Sequence, residues 1–185
     1  MSKFTIHTID SAPADSKELL EDAKDQFGFV PNLLGELAAA PTALRAYMTL
    51  NGFLEETSFS PVEQQLIITA VSVANSCEYC VAAHSAGLKQ AGLPDEEIDA
   101  VREGRSLSDS KLEALRQFVA RVVENRGFIE ESDLQDFVDA GYSRDQFYEV
   151  LVGVAMKTLS NYTNHIAETP LDEQLEPFAW EPVGV

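Results

Sequence analysis

Only two cysteines occur in the 185 residues, and both fall in one four-residue segment, Cys77-Glu78-Tyr79-Cys80. A structural disulfide stabilises mainly by closing a long loop in the unfolded chain, and a two-residue gap closes almost nothing. A disulfide-stapled secreted scaffold is therefore excluded, and the pair reads as reactive or metal-binding. Positive charge is also scarce. Thirteen lysines and arginines face 31 aspartates and glutamates, for a formal net charge of −18. Phosphate backbones and anionic lipid surfaces both require clustered cations, so nucleic acid and membrane are excluded as partners. No run approaches the ~20 apolar residues of a membrane-spanning helix. Met1 to Asp10 lacks the basic region and apolar stretch of a secretory signal. The expectation is a cytoplasmic protein. Alternating strand-like runs are scarce. Neither a fixed repeat nor a low-complexity tract is present, which excludes solenoids and disordered linkers.

What is present is helical periodicity broken by turn residues. Ser16 to Phe27 carries Leu19, Leu20, Ala23 and Phe27 at helical spacing, and Gly28-Phe29-Val30-Pro31-Asn32 ends it. Helices are expected at 33–40, stopped by Pro41, and at 42–54. Ser60-Pro61-Val62-Glu63 combines an N-cap serine, a proline at the first helical position and a glutamate at the third, a capping box. The run Leu66 to Ala74 is apolar nearly all round, so its helix should be buried. Asn75-Ser76 breaks the chain before a helix over 77–90. Further helices are expected from Asp95 to near Gly104, over 109–125, over 133–140 behind a Ser132 cap, and from a second box at Ser143–Gln146 to about Ala167. The pattern is that of one all-α domain. Residues 1–60 read as an N-terminal helical part, 61–168 as the core that holds the site, and 169–185 as an irregular arm.

Chemistry concentrates in Cys77-Glu78-Tyr79-Cys80-Val81-Ala82-Ala83-His84. On a helix, residues three and four apart share a face. Cys77, Cys80 and His84 therefore point into one environment, where two thiols can close a disulfide. A break at Asn75-Ser76 puts Cys77 near a helix start, whose free N–H groups and positive dipole end favour a thiolate. His84 is placed to take the proton of Cys80 or to pair with its thiolate as imidazolium. A thiolate that attacks a peroxide becomes a sulfenic acid, the second cysteine condenses with it, and an outside dithiol reduces the resulting disulfide.

Glu63-Gln64-Gln65, an apolar helix and then Asn75 through Ser85 resemble the alkylhydroperoxidase D-like family of the carboxymuconolactone decarboxylase superfamily. The likeness continues upstream in Gly28–Asn32 and downstream in Asn161-Tyr162-Thr163-Asn164-His165. It implies an all-α helical bundle in one domain with an N-terminal helical extension. It also implies a homo-oligomer (dimer, trimer or hexamer) and a peroxidase that needs no metal, haem or other cofactor. Hydroperoxide is then the substrate and an external dithiol the reductant. The resemblance assigns Cys80 to the peroxide, Cys77 to resolution of the sulfenic acid, and His84 to the family histidine. The dipole argument favours Cys77 as the more acidic thiol; the spacing to His84 favours Cys80.

Two positions depart from the family pattern. The relay glutamate twelve residues before the first cysteine is Gln65, which neither accepts nor gives a proton near neutrality. Glu63 is the nearest carboxylate and also the capping partner of Ser60. Tyr79 stands where known members carry a histidine. His165 is a supporting candidate, as a contact to the site or as a helix-end histidine favoured by the dipole. Three other functions fit parts of the pattern. One is a ring-acid lyase, which needs no thiol pair but needs an arginine for a carboxylate substrate. The second is a zinc site built from Cys77, Cys80, His84 and His165. The third is an oligomeric oxidant sensor without turnover.

Overall fold

The computed structural model describes residues 3–182. Among them are nine α-helices: α1 Ala14–Phe27, α2 Asn32–Leu37, α3 Pro41–Glu55, α4 Pro61–Ala74, α5 Glu78–Gln90, α6 Asp95–Glu103, α7 Ser110–Glu124, α8 Glu131–Asp139 and α9 Gln146–Ala167. No strand occurs among the described residues. The all-α expectation holds, and no described helix is long and apolar enough to cross a membrane.

Helix α4 is the centre. Its seven consecutive residues Leu66 to Ser72 are buried, and it packs against α5, α6, α7 and α9. The expected box at its start is formed: Ser60 Oγ accepts from the Glu63 N–H at 3.3 Å, and the Glu63 carboxylate accepts from the Ser60 N–H at 2.8 Å. Two orphan donors of the first turn are thereby satisfied reciprocally. On one side of α4, Leu66, Ile67 and Val71 meet Leu115, Phe118, Val119 and Phe137 from α7 and α8. Phe137 stacks between Phe118 and Tyr142, with ring centroids 4.4 and 4.6 Å away. On the other side, Ile68 joins Leu20, Leu34, Leu44, Tyr47, Cys77, Cys80 and Met156, which gathers α1, α2, α3, α5 and α9 into a second cluster.

Crossing of α9 over α4 depends on Gly153. A Cβ built there would lie 2.7 Å from Ile67 Cγ2. Several boundaries differ from the sequence reading: α1 starts two residues early, at Ala14, α2 ends at Leu37 rather than 40, and α9 starts only at Gln146. Helix α8 starts at Glu131, ahead of the Ser132 cap, because the Asp133 carboxylate accepts the Glu130 N–H at 3.1 Å and closes a turn there. The C-terminal arm is not wholly irregular: Glu173–Phe178 forms a 3₁₀ turn that packs on α5.

Candidate redox site

The break before the cysteines is a helix-ending motif with a serine in place of the usual glycine. Ser76 sits at φ 54°, a left-handed conformation. The Cys77 N–H reaches back to Ser72 O at 2.9 Å and the Ser76 N–H to Val73 O at 2.9 Å. This double bond pattern closes α4 and leaves Cys77 as the N-cap of α5. The break is tied to α9 by Asn75, whose amide donates to Asn161 Oδ1 at 2.9 Å. Sequence spacing thus places Cys77 at a helix start, and the two sulfurs then face α9.

One stripe of α9 meets them. Lys157, Ser160, Asn161 and Asn164 are all buried and share a face. Asn164 Nδ2 donates to Cys80 Sγ at 3.1 Å and approaches Cys77 Sγ at 3.7 Å; Ser160 Oγ lies 3.8 Å from Cys80 Sγ. Lys157 has no exposed surface, and its Nζ is 2.7 Å from His84 Nε2. Both thiols are free and buried.

The electrostatics separate the two cysteines. Burial raises the Cys80 thiol, but donation from Cys77, the charge and hydrogen bond of Lys157 and the hydroxyl of Ser160 together hold it well below the ordinary thiol value. Cys77 moves the other way, because its S–H is donated to Cys80 and because it is desolvated. The buried ammonium outweighs the helix start, and Cys80 is the more acidic thiol of the two. Burial pulls the Lys157 pKa down, but Cys80, with Tyr47 and Cys77, more than offsets this and leaves it raised. His84 is pushed well below its usual range by burial and then by the Lys157 charge. It is neutral and accepts a hydrogen bond from Lys157 at Nε2, so its proton is on Nδ1.

A cavity of about 480 Å³ opens on this arrangement. Cys80, His84, Lys157 and Gln65 line its floor, Phe29, Leu33, Leu34, Tyr47 and Ile68 its walls, and Gln26, Asn51, Glu55 and Gln90 its polar mouth. The N-terminal helices therefore supply one wall. A second depression beside Tyr79 and Trp180 contains neither sulfur.

Residues 41–120 match the family model described as carboxymuconolactone decarboxylase. Over that segment the chain is similar to the carboxymuconolactone decarboxylase family. The whole described fold is AhpD-like. A peroxidase-related protein from Ralstonia eutropha JMP134 with an alkylhydroperoxidase AhpD core superposes with a TM-score of 0.84 at 23% identity, covering 94% of each chain. A peroxidase-related protein from Silicibacter sp. TM1040 gives 0.79 at 20%, with 94% of each chain covered. The debrominase Bmp8, solved in complex with a tribromopyrrole, gives 0.80 at 15%, with 96% of each covered. No curated protein sequence matches the chain.

Of the residues singled out from the sequence, this AhpD-like fold brings Cys77, Cys80, His84 and Gln65 together. Gln65 Oε1 is buried and has no hydrogen-bond partner. Tyr79 reaches the pocket with its ring, while its hydroxyl donates to Asp172 in the C-terminal arm at 2.5 Å. Glu63 lies away from the floor: besides capping α4 it accepts from Tyr142 at 2.9 Å and pairs with Lys111 at 3.3 Å. His165 is exposed. Among the described residues no three His, Cys, Asp or Glu side chains are placed to share a metal ion. No arginine lines the pocket. Sequence reasoning missed Lys157, Ser160 and Tyr47, and named Asn164 only within the stretch that carries the family likeness. A signal for Lys157 was present: it is the one charged residue between Glu149 and His165, on the same face as Val150, Gly153 and Ser160.

Proposed function

We propose that this chain is a thiol-dependent peroxidase acting on hydroperoxides through Cys80 and Cys77. The observation that carries the reading is a pair of free cysteines at an open pocket: Cys80 lines it together with Lys157, receives a hydrogen bond from Asn164, and has Cys77 beside it. The buried cation favours the thiolate of Cys80 over that of Cys77. Thiolate is the nucleophile in peroxide reduction, and a second thiol within reach turns a sulfenic acid into a disulfide before it oxidises further. Cys80 sulfur attacks the terminal oxygen of the hydroperoxide, the O–O bond breaks, and the alcohol leaves once it has gained a proton. Cys77 then displaces the hydroxyl from Cys80 sulfur; its own proton leaves with that hydroxyl as water. An external dithiol returns two electrons and two protons by exchange.

The test is a free-thiol count on reduced protein before and after one equivalent of hydroperoxide. Both thiols should disappear together, with an intramolecular Cys77–Cys80 link found by peptide mapping. Cys77→Ser should leave a trappable sulfenic acid on Cys80, and Cys80→Ser should react slowly. Survival of both thiols in the wild type sinks the reading.

The aromatic wall of Phe29, Tyr47 and Tyr79 favours one competing electrophile, a brominated heteroaromatic ring of the kind named for the debrominase neighbour. Such a ring would oxidise the same pair by two electrons: a proton replaces bromine on carbon, bromide leaves and the disulfide forms. Thiol loss and bromide release with tribromopyrrole, at a rate above that with hydroperoxide, would select this substrate class.

A further inference from the structure

The peroxidase chemistry needs a proton for the leaving alkoxide, and the family position for a carboxylic acid is occupied by Gln65. Most other candidate donors in or near the pocket are committed elsewhere or out of place. Glu63 is engaged in the α4 cap. Tyr79 gives its hydroxyl hydrogen to Asp172. His84 accepts at Nε2, the atom turned to Lys157. The Cys77 proton is needed in the later condensation. Glu55, the one carboxylate of the lining, stands exposed at the mouth. Two proton-bearing groups remain, Tyr47 and Lys157. Burial makes the Tyr47 phenol a weaker acid than usual, whereas the Lys157 ammonium lies in the pocket lining, hydrogen-bonded toward Cys80 and 2.7 Å from His84.

We propose that Lys157 is the general acid of the cycle: its ammonium protonates the alkoxide that leaves when Cys80 sulfur takes the terminal peroxide oxygen. The inference rests on the peroxidase reading of the same site. The atoms and charges balance. Cys80 thiolate and hydroperoxide give Cys80 sulfenic acid and alkoxide; alkoxide and Lys157 ammonium give alcohol and neutral amine. Condensation with Cys77 then removes water and leaves no anion in the site. A neutral Lys157 suits that state, because a fully buried ammonium without a counter-anion is costly. When the external dithiol reduces the disulfide, the new Cys80 thiol hands its proton back to Lys157, and the ion pair is restored. One proton moves between Cys80 and Lys157 in each turnover, with His84 orienting the amine. Tyr47 on α3 and Cys77, Cys80 and His84 around α5 are the titratable groups facing it.

The experiment uses two oxidants that differ in leaving group. An alkyl hydroperoxide expels an alkoxide that needs a proton, whereas a peracid expels a carboxylate that does not. Single-turnover oxidation of Cys80 is followed for wild type, Lys157→Met and Lys157→Arg, with thiolate content read from its ultraviolet absorbance. Arginine keeps the positive charge but does not release a proton. Lys157→Arg should retain the thiolate and the peracid rate while losing the hydroperoxide rate by about 100-fold, the scale of general acid catalysis. In Lys157→Met, the hydroperoxide-to-peracid ratio per thiolate should fall similarly. Equal losses with both oxidants would overturn the proposal and leave Lys157 only as a counter-ion. The wild type supplies its own check if a variant fails to fold: its rates across hydroperoxides of graded alcohol acidity should be nearly level, and a steep dependence overturns the proposal. Wild-type thiols inert to both oxidants would instead reject the peroxidase reading, and this inference with it.

Discussion

Lys157 and Cys80 set each other's charge, and His84 pays attention to neither proton so long as it stays neutral beside the ammonium. That neutrality has a measurable consequence. Unfolded, the His84 imidazole titrates near 6.5; folded, it is held well below. Above 6.5 both states are neutral and His84 adds no pH dependence. As pH falls below that value, the unfolded chain takes up a proton that the native site refuses, so stability falls by up to about 1.4 kcal/mol per pH unit. His84→Gln, whose side-chain carbonyl still accepts from Lys157, should flatten the decline between pH 6.5 and 5 in urea titrations. At this scale the sequence was informative where contacts are local. Cys77, Cys80 and His84 share a face by spacing alone. The contacts of Lys157 with His84 and of Asn164 with Cys80 join residues 73 and 84 positions apart, and no helical period encodes which face of α9 meets α5.

Helix pairs hold these side chains in register, and two glycines show how. Gly87 on α5 leaves room for Gln65 on α4: a Cβ there would lie 2.3 Å from Gln65 Oε1. The obstructing atom is the free end of an amide, so Gly87→Ala should turn Gln65 aside without unfolding the helix. Alanine is favoured over glycine in a helix interior by about 1 kcal/mol. The expected outcome is unchanged or raised stability with a higher KM for hydroperoxide. Gly153 is the opposite case. The atom that a Cβ would meet, Ile67 Cγ2, is locked in the core. Gly153→Ala should cost about 1–3 kcal/mol by overpacking and shift Lys157, one turn onward, away from Cys80. Chemical denaturation of the two variants side by side checks both signs. Helix ends were legible because caps are local chemistry: Ser60-Pro61-Val62-Glu63 and Asn75-Ser76 were read correctly from residue types alone. The start of α8 was not, since Asp133 and Ser132 offer competing side chains within one turn.

The molecule as a whole carries a formal charge of −18, and its cations are too few to neutralise it locally. Self-repulsion of that kind destabilises a compact state and is screened by salt. Raising sodium chloride from about 10 to 150 mM, which shortens the screening length to about 8 Å, should raise the melting temperature. A rise of about 2–4 °C corresponds to each kcal/mol gained in a chain of this size. A melting temperature that falls with salt would show that attractive ion pairs outweigh the repulsion. The fold class was readable at this scale from periodicity and composition, whereas the pocket was not: its walls come from α2, α3, α4 and α5 together, and only packing reveals that they enclose one space. Both sulfurs also belong to the packed cluster that includes Leu34, Tyr47, Ile68 and Met156. Folded and unfolded, dithiol and disulfide make four states linked in a closed thermodynamic square. The difference in reduction potential between the folded and the unfolded pair must then equal, in free energy, the difference in unfolding stability between the reduced and the oxidised protein. Met156, packed in that cluster but outside the pocket lining, thus tunes the potential of the pair without ever meeting a substrate.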